Sequence, residues 1–253
     1  MSPVRKPHPL PVQLLDLFLI ELSNWRWSWR SLLITATLVP VLSILAFGAF
    51  AQGSGRGTFA YILTGNIVLS LMFGTLNNMQ SHCMYMRVMG AFDVFATLPI
   101  RRSMLLLAMV LAFLLLSLPT LVVTIVLGAL ILHVPLTPSP LFLLVVPLCA
   151  VPLAGIGALI GVTARTPETG GALSLIVTAI LVSLGPVVVP PSRLPGLVLA
   201  FGWISPATYA ASAVRQTLLG PVTGRLALDL AVLLGLAILT LGLVSQRLDW
   251  RQR

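Results

Sequence analysis

Between Ser103 and Ala164 the chain carries no Asp, Glu, Lys or Arg at all, and the interval is filled largely with Leu, Val and Ala. A helix needs roughly 20 predominantly apolar residues to cross a bilayer core of about 30 Å, so this interval holds two crossings. The closely spaced prolines of His133-Val134-Pro135-Leu136-Thr137-Pro138-Ser139-Pro140 cannot continue a helix and mark the break between them. The same reasoning applied to the other charge-poor intervals predicts six spans, at 31–51, 58–80, 103–132, 141–163, 169–189 and 226–245.

Composition agrees with this reading. Hydrophobic residues make up 58% of the chain and charged residues 8%, against about a quarter charged in a soluble domain. No water-soluble fold of 253 residues can bury that much apolar surface. The predicted fold is therefore an all-α polytopic membrane protein, a single transmembrane domain over 1–253 with six transmembrane helices.

The formal net charge of +9 does not point to nucleic acid, because the basic residues sit in short gaps between apolar runs and not on one aromatic-laced face. It is a positive-inside pattern. Six spans put both termini on one side, and Arg5, Lys6, Arg26, Arg30, Arg87, Arg101, Arg102, Arg165, Arg247, Arg251 and Arg253 fall there, against Arg56, Arg193, Arg215 and Arg225 opposite. Both termini are predicted to be cytoplasmic. Asp16 and Glu21 interrupt what would be the core of a secretory leader, so no cleavable signal is expected.

Three segments do not read as plain spans. Residues 10–30 carry an apolar stripe at Leu14, Phe18, Leu22, Trp25 and Trp29 and end in Trp25-Arg26-Trp27-Ser28-Trp29-Arg30. That predicts an interfacial amphipathic helix anchored by Trp25, Trp27, Trp29 and Arg30. Residues 84–100, closed by Pro99 and two arginines, predict a cytoplasmic loop helix that could dock a soluble partner or be an ordinary basic loop. Residues 190–225 hold five prolines yet contain the apolar stretch Leu194 to Ile204. A segment so broken is expected to re-enter or lie on the outer surface, covered by protein.

Candidate chemistry is sparse. Met79, His82, Cys83, Met84, Met86 and Met89 include soft ligands of the kind that bind Cu(I), but methionine also packs apolar cores, and packing is the preferred reading. Cys83 and Cys149 read as small hydrophobes, not a disulfide. There is no Gly-x-Ser-x-Gly elbow and no paired acids, so no catalytic residue is predicted. The predicted spans lack ionisable groups at mid-depth, which argues against ion-coupled transport, and no phosphate-binding loop is present to bind ATP in this chain.

Two local patterns resemble one family. Arg87-x-x-Gly90-x-x-Asp93 followed by Thr97-Leu98-Pro99 is similar to the coupling-helix segment of type-2 ATP-binding-cassette permeases, with Val88 and Ala91 departing from it, Asp in place of Glu, and one extra residue between Thr and Pro. Leu194-Pro195, then Ser205-Pro206-Ala207-Thr208-Tyr209, then Arg215 and Gly220, resembles that family's signature before the last span. The resemblance, to drug, polysaccharide and nodulation-factor exporter subunits, covers nearly the whole chain. It implies a permease subunit of an exporter in a bacterial cytoplasmic membrane, moving a hydrophobic or amphipathic cargo such as a drug, lipid or lipid-linked glycan. It further implies two cytosolic ATPase copies binding ATP and Mg, a second permease copy or paralogue, ATPase coupling through Arg87, Gly90, Asp93, Thr97 and Pro99, and an outer segment marked by Pro195, Pro206, Tyr209 and Arg215. The alternative is a stand-alone channel, transporter or sensor scaffold with no ATPase.

Overall fold

The computed structural model describes residues 9–24, 29–51, 55–98, 100 and 102–247, and every regular element among them is helical. In chain order these are α1 (Leu10–Asn24), α2 (Trp29–Phe50), α3 (Arg56–Leu71), a π-helical segment (Met72–Asn77), α4 (Asn78–Val88), α5 (Ala91–Ala96), α6 (Arg102–Leu132), α7 (Phe142–Thr163), α8 (Pro167–Ser183), a 3₁₀ turn (Pro191–Arg193), α9 (Gly196–Gly202), α10 (Pro206–Leu219) and α11 (Arg225–Arg247).

Four of these bodies are long and apolar enough to cross a membrane: Gly57–Val88, Ser103–Leu132, Phe142–Thr163 and Arg225–Arg247. The expected first and fifth spans correspond to shorter apolar helices, Ala36–Phe50 within α2 and Pro167–Ser183. The pair α9–α10, bent by 85°, has the length and composition of one broken span or a re-entrant loop. Lipid-facing residues such as Leu143, Leu175 and Ile238 remain exposed on this bundle, as they must where the solvent is hydrocarbon.

The second span differs most from its expected limits. The helix does not stop at Gln80 but runs on to Val88, because Cys83, Met84 and Met86 are buried and continue the packed face. Its middle widens into the π segment, where the Asn78 side chain donates to the carbonyls of Phe73 (2.9 Å) and Gly74 (3.1 Å) and the Thr75 hydroxyl to that of Leu71 (2.6 Å). Side-chain donors of this kind supply what a widened helix cannot satisfy itself. The fifth span is shorter than 169–189. Thr166 and Thr169 form a reciprocal cap, Pro167 opens the helix, and the chain leaves it at Leu184 before Gly185 takes φ +135°.

Helix α7 lies at the centre, packed on α11, α4, the π segment and α10. Its glycines allow that closeness. A Cβ at Gly157 would strike the Leu76 carbonyl, and one at Gly161 would come within 2.6 Å of the Gln80 carbonyl. Gly155 stands equally tight against Thr240 of α11. Small residues at four-residue spacing let backbones approach where lipid offers no hydrophobic drive for association. Around this centre, α6 carries α1, α2 and α3 on its flank. The predicted break at His133–Pro140 is present as an extended loop whose Thr137 and Ser139 amides donate to the Leu218 and Thr217 carbonyls, closing the end of α10.

Helix α1 differs from its sequence reading. The most buried line is Gln13, Leu17 and Glu21, with Leu14, Phe18 and Leu22 flanking it, while Leu15, Leu19 and Ile20 face outward. Glu21 turns inward because His82 of α4 meets it, with Nε2 2.8 Å from Oε2. Of the predicted anchors, Trp25 and Trp27 lie outside the described residues, and Trp29 and Arg30 open α2.

Candidate functional site

Two regions of the bundle carry polar groups that packing alone does not account for. The first is the exit from α4. There the helix ends in a left-handed Gly90 (φ 66°), a conformation that glycine adopts without steric cost, and α5 starts at the next residue. In the last turn of α4, Arg87 reaches across to α7. Its Nη1 donates to the carbonyls of Val162 (3.0 Å) and Ala164 (2.7 Å). These carbonyls lie in the last turn of α7, where no further amide follows to bond them and the helix dipole favours a cation. Arg87 therefore ties the end of α4 to the end of α7.

Beyond that tie the surface is apolar and uncovered. Tyr85, Val88, Met89, Val94 and Leu98 are all exposed, Met89 by 63% and Val94 by 64%. Asp93 is exposed in the first turn of α5, and Thr97 closes the short helix with its hydroxyl donating to the Val94 carbonyl at 2.7 Å. Pro99 lies outside the described residues. The structure thus gathers Gly90, Asp93 and Thr97 on one short element and assigns Arg87 to an internal contact beneath it.

Behind this region sits a buried polar pair that the sequence did not reveal. Glu21 is 1% exposed, His82 packs edge-on to Phe113 with centroids 5.5 Å apart, and the surroundings are Leu17, Met79, Cys83, Met86 and Met109. Met79, Cys83 and Met86 are core packing between α4 and α6, whereas Met89 is exposed. The only signal for the pair was an acid and a histidine each placed in an apolar stretch, with nothing to match one to the other.

The second region is at the far end of the bundle from the α11 C-terminus. Pro195 precedes α9, and the chain then turns by 85° through Trp203, Ile204 and Ser205 into α10. Ser205 donates its hydroxyl to the Leu181 carbonyl (3.1 Å), and Tyr209 donates to the Trp203 carbonyl (2.7 Å), so the bend is pinned on both sides. Pro206 supplies the fixed φ of a first helical residue and is buried with the whole run to Ala211. Arg215 extends from α10 toward α3. Its Nε donates to Thr64 Oγ1 at 3.3 Å and its Nη2 to the Pro186 carbonyl at 3.4 Å, and its Cζ lies 3.5 Å from the Tyr61 ring centroid. These groups border a cavity of about 290 Å³.

A neighbouring network joins α10 to α11. Gln216 donates to Asp229 at 3.0 Å and accepts from Thr223 through its amide and hydroxyl, while Arg225 approaches Asp229 at 3.9 Å. Asp229 is fully buried. Gln216 and Arg225 are what make a carboxylate tolerable near the start of the last span.

A bundle whose described elements are all helical, four of them apolar and long enough to cross a bilayer, is that of a multi-pass membrane protein. Its two polar regions sit at opposite ends. The profile of the ABC-2 type transporter family matches residues 13–219, and the chain belongs to that family, as a permease subunit. No curated protein matches the chain.

Proposed function

We propose that this chain is the membrane half of an ATP-driven exporter, working as two copies or with a paralogue, and moving a hydrophobic or amphipathic molecule out across a bacterial cytoplasmic membrane. The charge-free apolar intervals support six crossings, and the excess of arginine on one side supports cytoplasmic termini. The observation that carries the reading is the uncovered apolar surface on α5 and the end of α4, mounted on a helix that continues without a break through the bundle. ABC-2 proteins normally pair with an ATP-binding subunit, and a short helix with exposed Met89, Val94 and Leu98 beside Asp93 offers such a subunit an apolar anchor with a charged rim.

In this mechanism ATP and Mg bind in the partner, and nucleotide binding closes a pair of ATPases. Each ATPase carries α5 with it. Because Arg87 fixes α4 to α7, and α7 contacts α11 and α10, displacement of α5 moves the packed core and not a loose loop. That is a ligand-biased shift between two arrangements of a rigid bundle.

The test is substitution on the exposed face. Val94→Asp with Met89→Asp should leave the bundle folded, since neither side chain is packed, and abolish recovery of the ATPase with this chain. A double variant that still binds and transports at the parent level removes α5 from the coupling joint.

A further inference from the structure

The cavity beside Arg215 contains a guanidinium that no carboxylate touches among the described residues. Its guanidinium contacts only neutral acceptors and the Tyr61 ring, at distances near the long end for hydrogen bonds. Among the described residues no carboxylate comes within ion-pair distance of it; Asp229, the nearest acid by sequence, is occupied by Gln216 and Arg225. Arg225 lines the same cavity from the start of α11. Thr208 adds a hydroxyl to the lining that is 7% exposed and has no hydrogen-bond partner.

A partly buried guanidinium held by long hydrogen bonds and a buried hydroxyl with no hydrogen-bond partner each carry a desolvation cost. Both would be satisfied by one oxyanion. Two guanidinium forks match the oxygens of a phosphate in geometry as well as charge, and a cavity of about 290 Å³ is near the lower end of small-molecule sites, enough for a headgroup. Leu197, Phe201, Trp203 and Ile204 are exposed along the adjoining α9 and its turn, an apolar shelf continuous with the cavity wall.

We propose that this cavity is a receptor for the phosphate headgroup of an anionic amphiphile, with Arg215 and Arg225 holding the oxyanion, Thr208 donating to it, and the α9 shelf supporting the chain. This deepens the transport reading and rests on it for its physiological meaning. Its test does not, because binding is measured on the permease alone, without ATPase or nucleotide.

The full chain is placed in nanodiscs of phosphatidylcholine, with and without phosphatidylglycerol, and the fluorescence of Trp203 is isolated as the difference between the parent and Trp203→Phe. Phosphatidylglycerol is expected to shift that signal, less so as salt rises. Arg215→Gln and Arg225→Gln are each expected to weaken the response about tenfold or more, as loss of a charge-assisted contact requires. Arg225 is solvent-exposed over 59% of its side chain, so its variant folds even where that of Arg215 does not. Inorganic phosphate competing with the lipid shows that the oxyanion alone is read. A lipid response that phosphate does not displace shows that headgroup and shelf act together, and both outcomes support the site. Equal responses to zwitterionic and anionic lipid, or a response that Arg225→Gln leaves unchanged, overturn it.

Discussion

Replacing Arg87 with Met separates two roles that this residue could have. The side chain donates twice from Nη1 to the open carbonyl end of α7, at 3.0 and 2.7 Å. Hydrogen bonds to charged groups are worth about 1.5–3 kcal/mol each. The guanidinium is only partly buried, and water can reach the freed carbonyls at a helix end, so the pair together should contribute about 2 kcal/mol. For a chain of this size each kcal/mol moves the melting midpoint by about 2–4 °C, which gives a fall of about 4–8 °C. The assay is thermal melting of the detergent-solubilised chain followed by size-exclusion chromatography, with ATPase recovery measured in parallel on membranes kept cold. Arg87→Lys should recover part of the loss, since an ammonium still meets the helix dipole but lacks the fork. An Arg87→Met chain that melts with the parent yet loses the ATPase would refute the clamp and return Arg87 to the docking surface.

Three further outcomes follow from the packing. Gly157→Ala should destabilise the bundle by about 1–3 kcal/mol, because its Cβ meets the Leu76 backbone, whereas Gly235→Ala, with open space around it, should be neutral; equal melting of the two contradicts the close packing of α7. Glu21→Leu or His82→Phe alone should lower the melting midpoint by leaving a buried polar group without its partner, and the double variant should recover much of that loss; a double variant that melts below both singles sinks the pairing. Thr166→Ala should cost about 1 kcal/mol by removing the cap of α8, and hydrogen exchange should rise first in the amides after Pro167.

What was legible in the sequence depended on how local its cause is. Lipid as solvent follows from charge spacing, and the break at His133–Pro140 and the irregularity after Pro190 follow from proline's missing amide. Each is decided by residues near in sequence. The run of helix to Val88 past Gln80 was not legible, because it depends on Met84 and Met86 meeting a core built from other helices. The same holds for Glu21 with His82 and for Gln216 with Asp229, where neither member names its partner. Gly157 and Gly161 stood in plain view as a four-residue glycine repeat in an apolar helix, a known packing signal. Their spacing says that a backbone approaches, but only the fold says that it is the helix through Leu76 and Gln80. The resemblance at Arg87 to Pro99 marks the segment but not its contacts: that Arg87 Nη1 meets the Val162 and Ala164 carbonyls, while Met89 and Val94 stand exposed beside it, depends on where α7 ends in space.

The central claim is that this permease takes its energy from a separate ATPase through α5. The most direct measurement is to co-express the chain with the ATP-binding-cassette ATPases of its own genome, isolate it in mild detergent, and ask which proteins remain bound before and after Val94→Asp with Met89→Asp. The account predicts a stable complex with one ATPase for the parent chain and its loss in the double variant, with the helical bundle intact. Recovery of the parent chain alone, under conditions where the ATPases are present and folded, would contradict it.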